Sequence, residues 1–308
     1  MTIHLKERTQ EFFEYVTNGG KVDATDWMPE EYKIEVRRVM GFQGLAEIVG
    51  GMIFSEWIPK NPSIIRKMMY TAKSQDEMGH AHILIRSCED IGLSREEIVE
   101  GYISGENKLL NIFHYDFKSF EEMVSGMLLQ NTAAIVQFQS LVNTSYLPYH
   151  RSLRKIMKEE AFHYNLAINM IEHISKNGTK KQKDAIQSSI DLWFPRMLAY
   201  FGPSDRDKPK NHAMKMRVKV DFNDTIRDNW LNKIVPLVKS LGYQINDPQL
   251  LKDKETAYWS YTMPNWEEVK HVLKGNGPCS EYWRKKVEKS YESSRWIREL
   301  AKKKKNIV

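Results

Sequence analysis

Glu77-Met-Gly-His80 and Glu160-Ala-Phe-His163 each set a carboxylate and an imidazole three residues apart. On a helix that spacing puts both groups on one face, about a turn apart, where they can share a metal ion. The pattern alone is weak. Glu268-Val-Lys-His271 has the same form, and a chain with nine histidines yields such matches by chance. Context separates them. Glu160 and His163 lie on the apolar stripe of Leu153, Ile156, Met157, Ala167, Met170 and Ile171, so they are expected to point inward. Glu47 sits inside the apolar run LAEIVGGMIF, on the stripe of Val36, Met40 and Phe54. A buried glutamate without a partner is costly, so Glu47 requires one. Glu268 and His271 are read as solvated, and His82 as a supporting or surface group.

The elements that must position these residues follow from the apolar spacing, which between about residues 30 and 200 is repeatedly three and four, the helical period. Alternating strand-like runs are almost absent. Pro29 with two glutamates opens a helix expected over 29 to 56, and WIPKNPS breaks it. A second helix is expected over 62 to 91, and Ser94-Arg-Glu-Glu97 has capping-box spacing for a shorter one. Two further long helices, 119 to 144 and 149 to 176, flank the turn SYLPYH. The fold expected is all-α: a four-helix bundle over 1 to 205, including an N-terminal segment, with a helical and loop extension over 206 to 308 packed on it.

Equal distance from a turn means equal height in an antiparallel hairpin. Glu47 and Glu77 are 30 residues apart, with their midpoint at residue 62, inside the first break. Asn131 and Glu160 are 29 apart, with a midpoint near 145, inside the second. All of these side chains therefore converge at one level, about 22 Å from the turns at 1.5 Å per residue. That is the layout of a dinuclear carboxylate site, with one acid from each of two helices and Glu-x-x-His from each of the other two. Position 131 departs from it. Asn131 brings an amide oxygen or a buried hydrogen bond, not a charge, and no Asp or Glu lies between Met123 and Lys158 to replace it. Two divalent ions against Glu47, Glu77 and Glu160 leave a charge of +1, so the second ion is expected to be held loosely. Such ligands suit non-haem iron or manganese, with zinc chemically possible.

Composition excludes several classes. Charged residues are 28% and hydrophobic residues 41%, as in a globular chain, and the longest apolar stretch, about Leu45 to Phe54, is half what a membrane span needs. The N-terminus has no secretory-signal pattern, so a cytoplasmic location is expected. Two cysteines are too few for a disulfide framework or a thiolate site. The net charge of +6 resides in residues 281 to 308, with ten Lys/Arg and four Glu; subtracted from 46 and 40, these leave 36 of each sign in the remainder. Nucleic acid is not an expected partner.

With DWMPEEY at 26 to 32, AEIVG at 46 to 50, QDEMGH at 75 to 80, AAIV at 133 to 136, KEEAFH at 158 to 163 and FGPSD at 201 to 205, the chain resembles the catalytic A subunits of ring 1,2-phenylacetyl-CoA epoxidases. These are ferritin-like di-iron monooxygenases of phenylacetate catabolism. The resemblance implies a ferritin-like bundle with Glu47, Glu77, His80, Glu160 and His163 as ligands of two irons. It also implies that position 131, a carboxylate in the family, belongs to the same shell as Asn131. It implies use of O2 to epoxidise the aromatic ring of phenylacetyl-CoA or a related thioester. The implied partners are a ferritin-like structural subunit, a small accessory subunit, and a flavin/iron-sulfur reductase supplying electrons from NADPH. Lys67 occupies the position of a family lysine associated with CoA, and Lys33 and Arg38 are further candidates for its phosphates. The alternative is a metal-deficient paralogue acting as an acyl-CoA-binding or scaffolding subunit, and Asn131 separates the two.

Overall fold

The computed structural model describes residues 3 to 305. Helix α1 spans Ile3–Thr17, and α2 spans Glu30–Ser55, with Glu30 and Glu31 in its first turn facing the unpaired N–H groups. Helix α3, Ile64–Glu89, starts where the Ser63 hydroxyl accepts from the Arg66 amide. The expected capping box is present: Ser94 and Glu97 close the start of α4, Arg95–Ser104, which ends at Gly105 with φ +87°. Helix α5 is Phe120–Leu141 and α6 is Leu147–Asn177. Helix α7, Lys180–Tyr200, opens on a second capping box from Thr179 and Gln182.

Beyond α7 lie α8, His212–Lys215; α9, Asn223–Ser240; α10, Trp266–His271; α11, Ser280–Ser293; and α12, Arg295–Lys305. Leu251–Lys252 and Trp259–Ser260 make a two-residue antiparallel ladder, and no other sheet occurs among the described residues. None of the described helices is long and apolar enough to cross a membrane.

The four long helices predicted from the sequence are α2, α3, α5 and α6, and they pair as the two hairpins α2/α3 and α5/α6. The α5 end falls short of the expected residue 144. There the Ser145 amide donates to the Arg217 carbonyl and the Val22 amide to the Ser145 carbonyl, which draws the turn out of helical geometry. Helices α1 and α7 add to the expected set. Phe12 of α1 stands edge-on to Tyr32 with ring centres 5.0 Å apart, and α7 covers α5, its Trp193 indole donating to Glu122 over 2.9 Å. Apolar side chains from Phe12 to Val287 form one continuous cluster, so the C-terminal helices share the bundle's core.

Two details of packing bear on the site. Buried Arg227 donates to the carbonyls of Leu198 and Gly202 and to Asp224, while Asp224 accepts from the Ser204 hydroxyl and the amides of Asp205 and Arg206. This network fixes the loop after α7. Helix α2 also approaches α3 closely at Gly51, where an added Cβ would lie 3.1 Å from the Glu77 Cβ and 3.4 Å from the Ser74 carbonyl oxygen. Gly51→Ala is therefore expected to cost about 1 kcal/mol, measured by denaturant unfolding, because the new methyl displaces the Met78 terminal methyl, 2.9 Å away, and crowds the Cβ of Glu77.

Candidate metal centre

The convergence predicted from the hairpin midpoints is present. Ligand atoms of Glu47, Glu77, His80 and Glu160 all lie within 4.8 Å of one another. His80 Nδ1 is 3.5 Å from Glu47 and from Glu160, and 3.6 Å from Glu77. His163 stands beside this group, with Nδ1 3.4 Å from Glu160 Oε2 and 3.7 Å from Glu77. Both histidines are wholly buried.

Three atoms here are buried without a hydrogen-bond partner: His80 Nδ1, His163 Nδ1 and Glu160 Oε2. Unpaired buried polar atoms are rare and costly, and all three are Lewis bases facing one place. Divalent cations bound among them would satisfy them. The other ring nitrogens are held from outside the cluster: His80 Nε2 pairs with Glu159 over 3.0 Å and His163 Nε2 with Asp76 over 3.3 Å. An Nε2–H donated to a carboxylate leaves the Nδ1 lone pair for a metal, the usual support of a ligating histidine. Glu159 is held in turn by Lys155. Glu159→Ala is expected to weaken metal binding roughly 10- to 100-fold, read by titration of the metal-free protein, with the fold unchanged.

Charge in the cluster is unevenly shared. Burial and the neighbouring Glu77 raise the Glu47 carboxyl well above its ordinary range. Burial also disfavours charge on Glu77, but the adjacent Lys73 ammonium and His163 outweigh it and hold Glu77 well below that range. For His80, burial opposes the imidazolium, yet the Glu47 and Glu77 carboxylates 3.5 and 3.6 Å from Nδ1 prevail and push it up to about 11.

Lys73 is the residue that sequence reasoning missed. Its side chain is wholly buried, its Nζ binds Glu77, and the same Nζ donates to Asn131 Oδ1 over 3.3 Å. Asn131 Nδ2 donates to the His163 carbonyl over 2.7 Å, so both ends of that amide are engaged. Asn131 thus borders the cluster as a hydrogen-bonding residue whose oxygen faces an ammonium. One signal was present in the chain: Lys73 precedes Glu77 by four residues, the spacing of a helical ion pair, on the inward face of α3.

A cavity of about 400 Å³ opens onto Glu47, Glu77, Asn131 and Glu160. Phe42, Phe113, Phe138, Leu110, Leu141 and Phe201 contribute its apolar wall. Tyr200 also lines it, and burial beside Glu47 and Glu160 keeps its phenol protonated far above the ordinary range. Arg38, Gln43, Gln130, Gln137, Asn211, Lys219 and Asn223 also line it, with the Arg38 side chain 60% exposed at the outer end.

Of the cations expected to meet phosphate, only Arg38 lies here. Lys67 does not reach the cavity, because its Nζ donates to the carbonyls of Ile58 and Pro59 at the break between α2 and α3. Lys33 is outside the lining as well. Lys219, which the sequence did not single out, takes a place at the opening, held by Asn223 at 2.5 Å. His82 and His271 are exposed, and exposed Glu268 accepts from the Tyr115 hydroxyl.

The model of a family described as phenylacetic acid catabolic protein matches residues 6–296. The chain is 33% identical over 298 residues to the A subunit of 1,2-phenylacetyl-CoA epoxidase from Escherichia coli (strain K12), an alignment covering 95% of this chain and 96% of that protein. With its ferritin-like bundle and carboxylate–histidine cluster, this chain belongs to the phenylacetic acid catabolic protein family.

Proposed function

We propose that the chain is the oxygen-activating component of a multisubunit monooxygenase that epoxidises the aromatic ring of phenylacetyl-CoA or a related acyl-CoA thioester. The observation that carries this reading is the set of three unpartnered Lewis bases, His80 Nδ1, His163 Nδ1 and Glu160 Oε2, at the inner end of an apolar cavity with cations at its opening. The relative's name supplies the substrate class.

The donor set fits non-haem iron. Glu47, Glu77, His80 and Glu160 would hold one ion; His163, with Glu77 and Glu160, would hold a second. When bound and reduced, iron supplies the redox chemistry that splits O2, one oxygen atom entering the ring and the other leaving as water with two electrons and two protons. Those electrons come from NADPH through a separate flavin/iron-sulfur reductase, as the family resemblance implies. A ferritin-like structural subunit, with a small accessory subunit, completes the assembly.

The chain's own residues bind and orient. The aromatic wall excludes water from the reacting ring, and Arg38 and Lys219 meet the CoA phosphates. Tyr200, protonated beside Glu47 and Glu160, holds a proton at the cavity's inner end.

The test is reconstitution. Iron-loaded protein with its partners, reductase, NADPH and O2 is expected to convert phenylacetyl-CoA to its ring epoxide, followed by mass spectrometry with 18O2. Iron-loaded protein that binds the thioester but leaves it unoxidised in the complete mixture would sink this reading.

A second reading has its own support. Lys73 sits between Glu77 and Asn131, where a second ion would need a carboxylate. A metal-deficient paralogue that binds acyl-CoA or serves as a scaffold is the function this ammonium favours. Protein that retains thioester binding but takes up no iron would establish it.

A further inference from the structure

Gln43 lies four residues before Glu47 on α2, one helical turn of about 5.4 Å toward the cavity's outer end, where Arg38 stands. Its Oε1 accepts from the Tyr149 hydroxyl. Tyr149 is wholly buried, and among the described residues Gln43 is the one acceptor its O–H reaches. A buried phenol O–H must find an acceptor, and this fixes the amide with its oxygen toward Tyr149 and its NH2 toward the cavity. No described residue accepts from that NH2. The amide is a donor held in place on the cavity wall.

The proposed reaction decides what a donor at this height meets. In an arylacetyl thioester a single methylene separates the ring from the carbonyl. With the ring against Glu47 and its neighbours, the carbonyl oxygen lies about one helical turn nearer the opening. We infer that Gln43, oriented by Tyr149, donates from Nε2 to the thioester carbonyl and so selects arylacetyl thioesters and sets which ring carbons face the metal. The inference rests on the acyl-thioester reading above. Gln43 is the residue that touches substrate, and Tyr149 acts through it as a positioning residue. Gln130 and Gln137 also line the cavity, but no described partner fixes either amide.

The experiment compares two probes in the absence of reductant, so that nothing turns over: phenylacetyl-CoA carrying 13C at the carbonyl, and the thioether analogue with a methylene in place of that carbonyl. Wild-type protein is expected to prefer the thioester by roughly 3- to 10-fold, the worth of one hydrogen bond. It is also expected to shift the labelled carbonyl stretch to lower wavenumber. Gln43→Leu abolishes both effects while keeping affinity for the thioether. Tyr149→Phe, nearly isosteric, frees the amide to turn and leaves a smaller, broader shift. Gln130→Leu retains both.

A thioester preference and carbonyl shift that survive in Gln43→Leu, or that vanish in Gln130→Leu instead, overturn the inference and leave the acyl-thioester reading standing. Wild-type protein that binds neither probe overturns the reading and the inference together.

Discussion

Replacing Asn131 by Asp is expected to raise metal uptake from one tightly held ion to two. Once metal has displaced the protons held by Glu47 and His80, Glu47, Glu77 and Glu160 carry −3 and Lys73 +1, leaving −2, so one divalent ion brings the site to neutrality and a second takes it to +2. An aspartate at 131 lowers that final charge to +1. At about 4 Å and an effective dielectric near 20, one pair of unit charges is worth about 4 kcal/mol, and a divalent ion doubles the attraction. Desolvation of the new carboxylate and its pairing with Lys73 consume much of this. A gain on the order of 100-fold in affinity for the second ion remains, about 2.7 kcal/mol. Anaerobic titration with Fe(II), with metal content measured after desalting, reads it directly. Equal stoichiometry and equal second-ion affinity in the two proteins would show that position 131 has no part in holding metal.

The reasons this site was readable in the sequence, and the reasons part of it was not, are geometric. Helical period, capping and two tight turns are local properties. From them α2, α3, α5 and α6 follow, and equal distance from a turn then places Glu47 against Glu77. Burial of a glutamate in LAEIVGGMIF demands compensation, which is why Glu47 declared itself.

Lys73 did not, because a lysine on a helix is normally read as solvated. Its burial depends on Phe54 of α2, whose ring lies 4.4 Å from the ammonium, and on Asn131 of α5, neither adjacent in sequence. Lys67 shows the converse. The family resemblance suggested it as a CoA-binding cation, but the carbonyls left free at the break between α2 and α3 hold it there. Asp76 and Glu159 sit immediately before Glu77 and Glu160, and only the packing of α3 against α6 brings each to the other helix's histidine. Local rules placed the ligands; their supports come from across the bundle.

Replacing Lys73 by Met is expected to make the protein depend on metal for its stability. The methionine keeps the length and apolar contacts of the lysine stem and removes only the ammonium. Glu77 then loses the partner that holds its carboxyl down, inside a site where Glu77 and Glu160 are both buried. Removing one member of a buried ion pair costs about 3–5 kcal/mol, because the remaining charge is uncompensated.

The sign of the pH dependence follows. In the wild type Glu77 is depressed below the ordinary value of 4.5, so the stability it contributes is fully present above 4.5 and fades only as pH falls through its lower folded value. In the variant that contribution is missing. Its deficit is greatest at neutral and higher pH, and narrows as pH falls below 4.5 and the wild type loses the same ion pair. Urea unfolding in EDTA at pH 8 and at about pH 3, on either side of the ordinary value, measures both terms. Added Mn2+ or Fe2+ then stabilises the variant more than the wild type, since the incoming cation takes over the charge that Lys73 carries. Equal unfolding midpoints for the two metal-free proteins at pH 8 would mean that Lys73 does not stand in for a metal charge, and that the carboxylates are neutralised by protons instead.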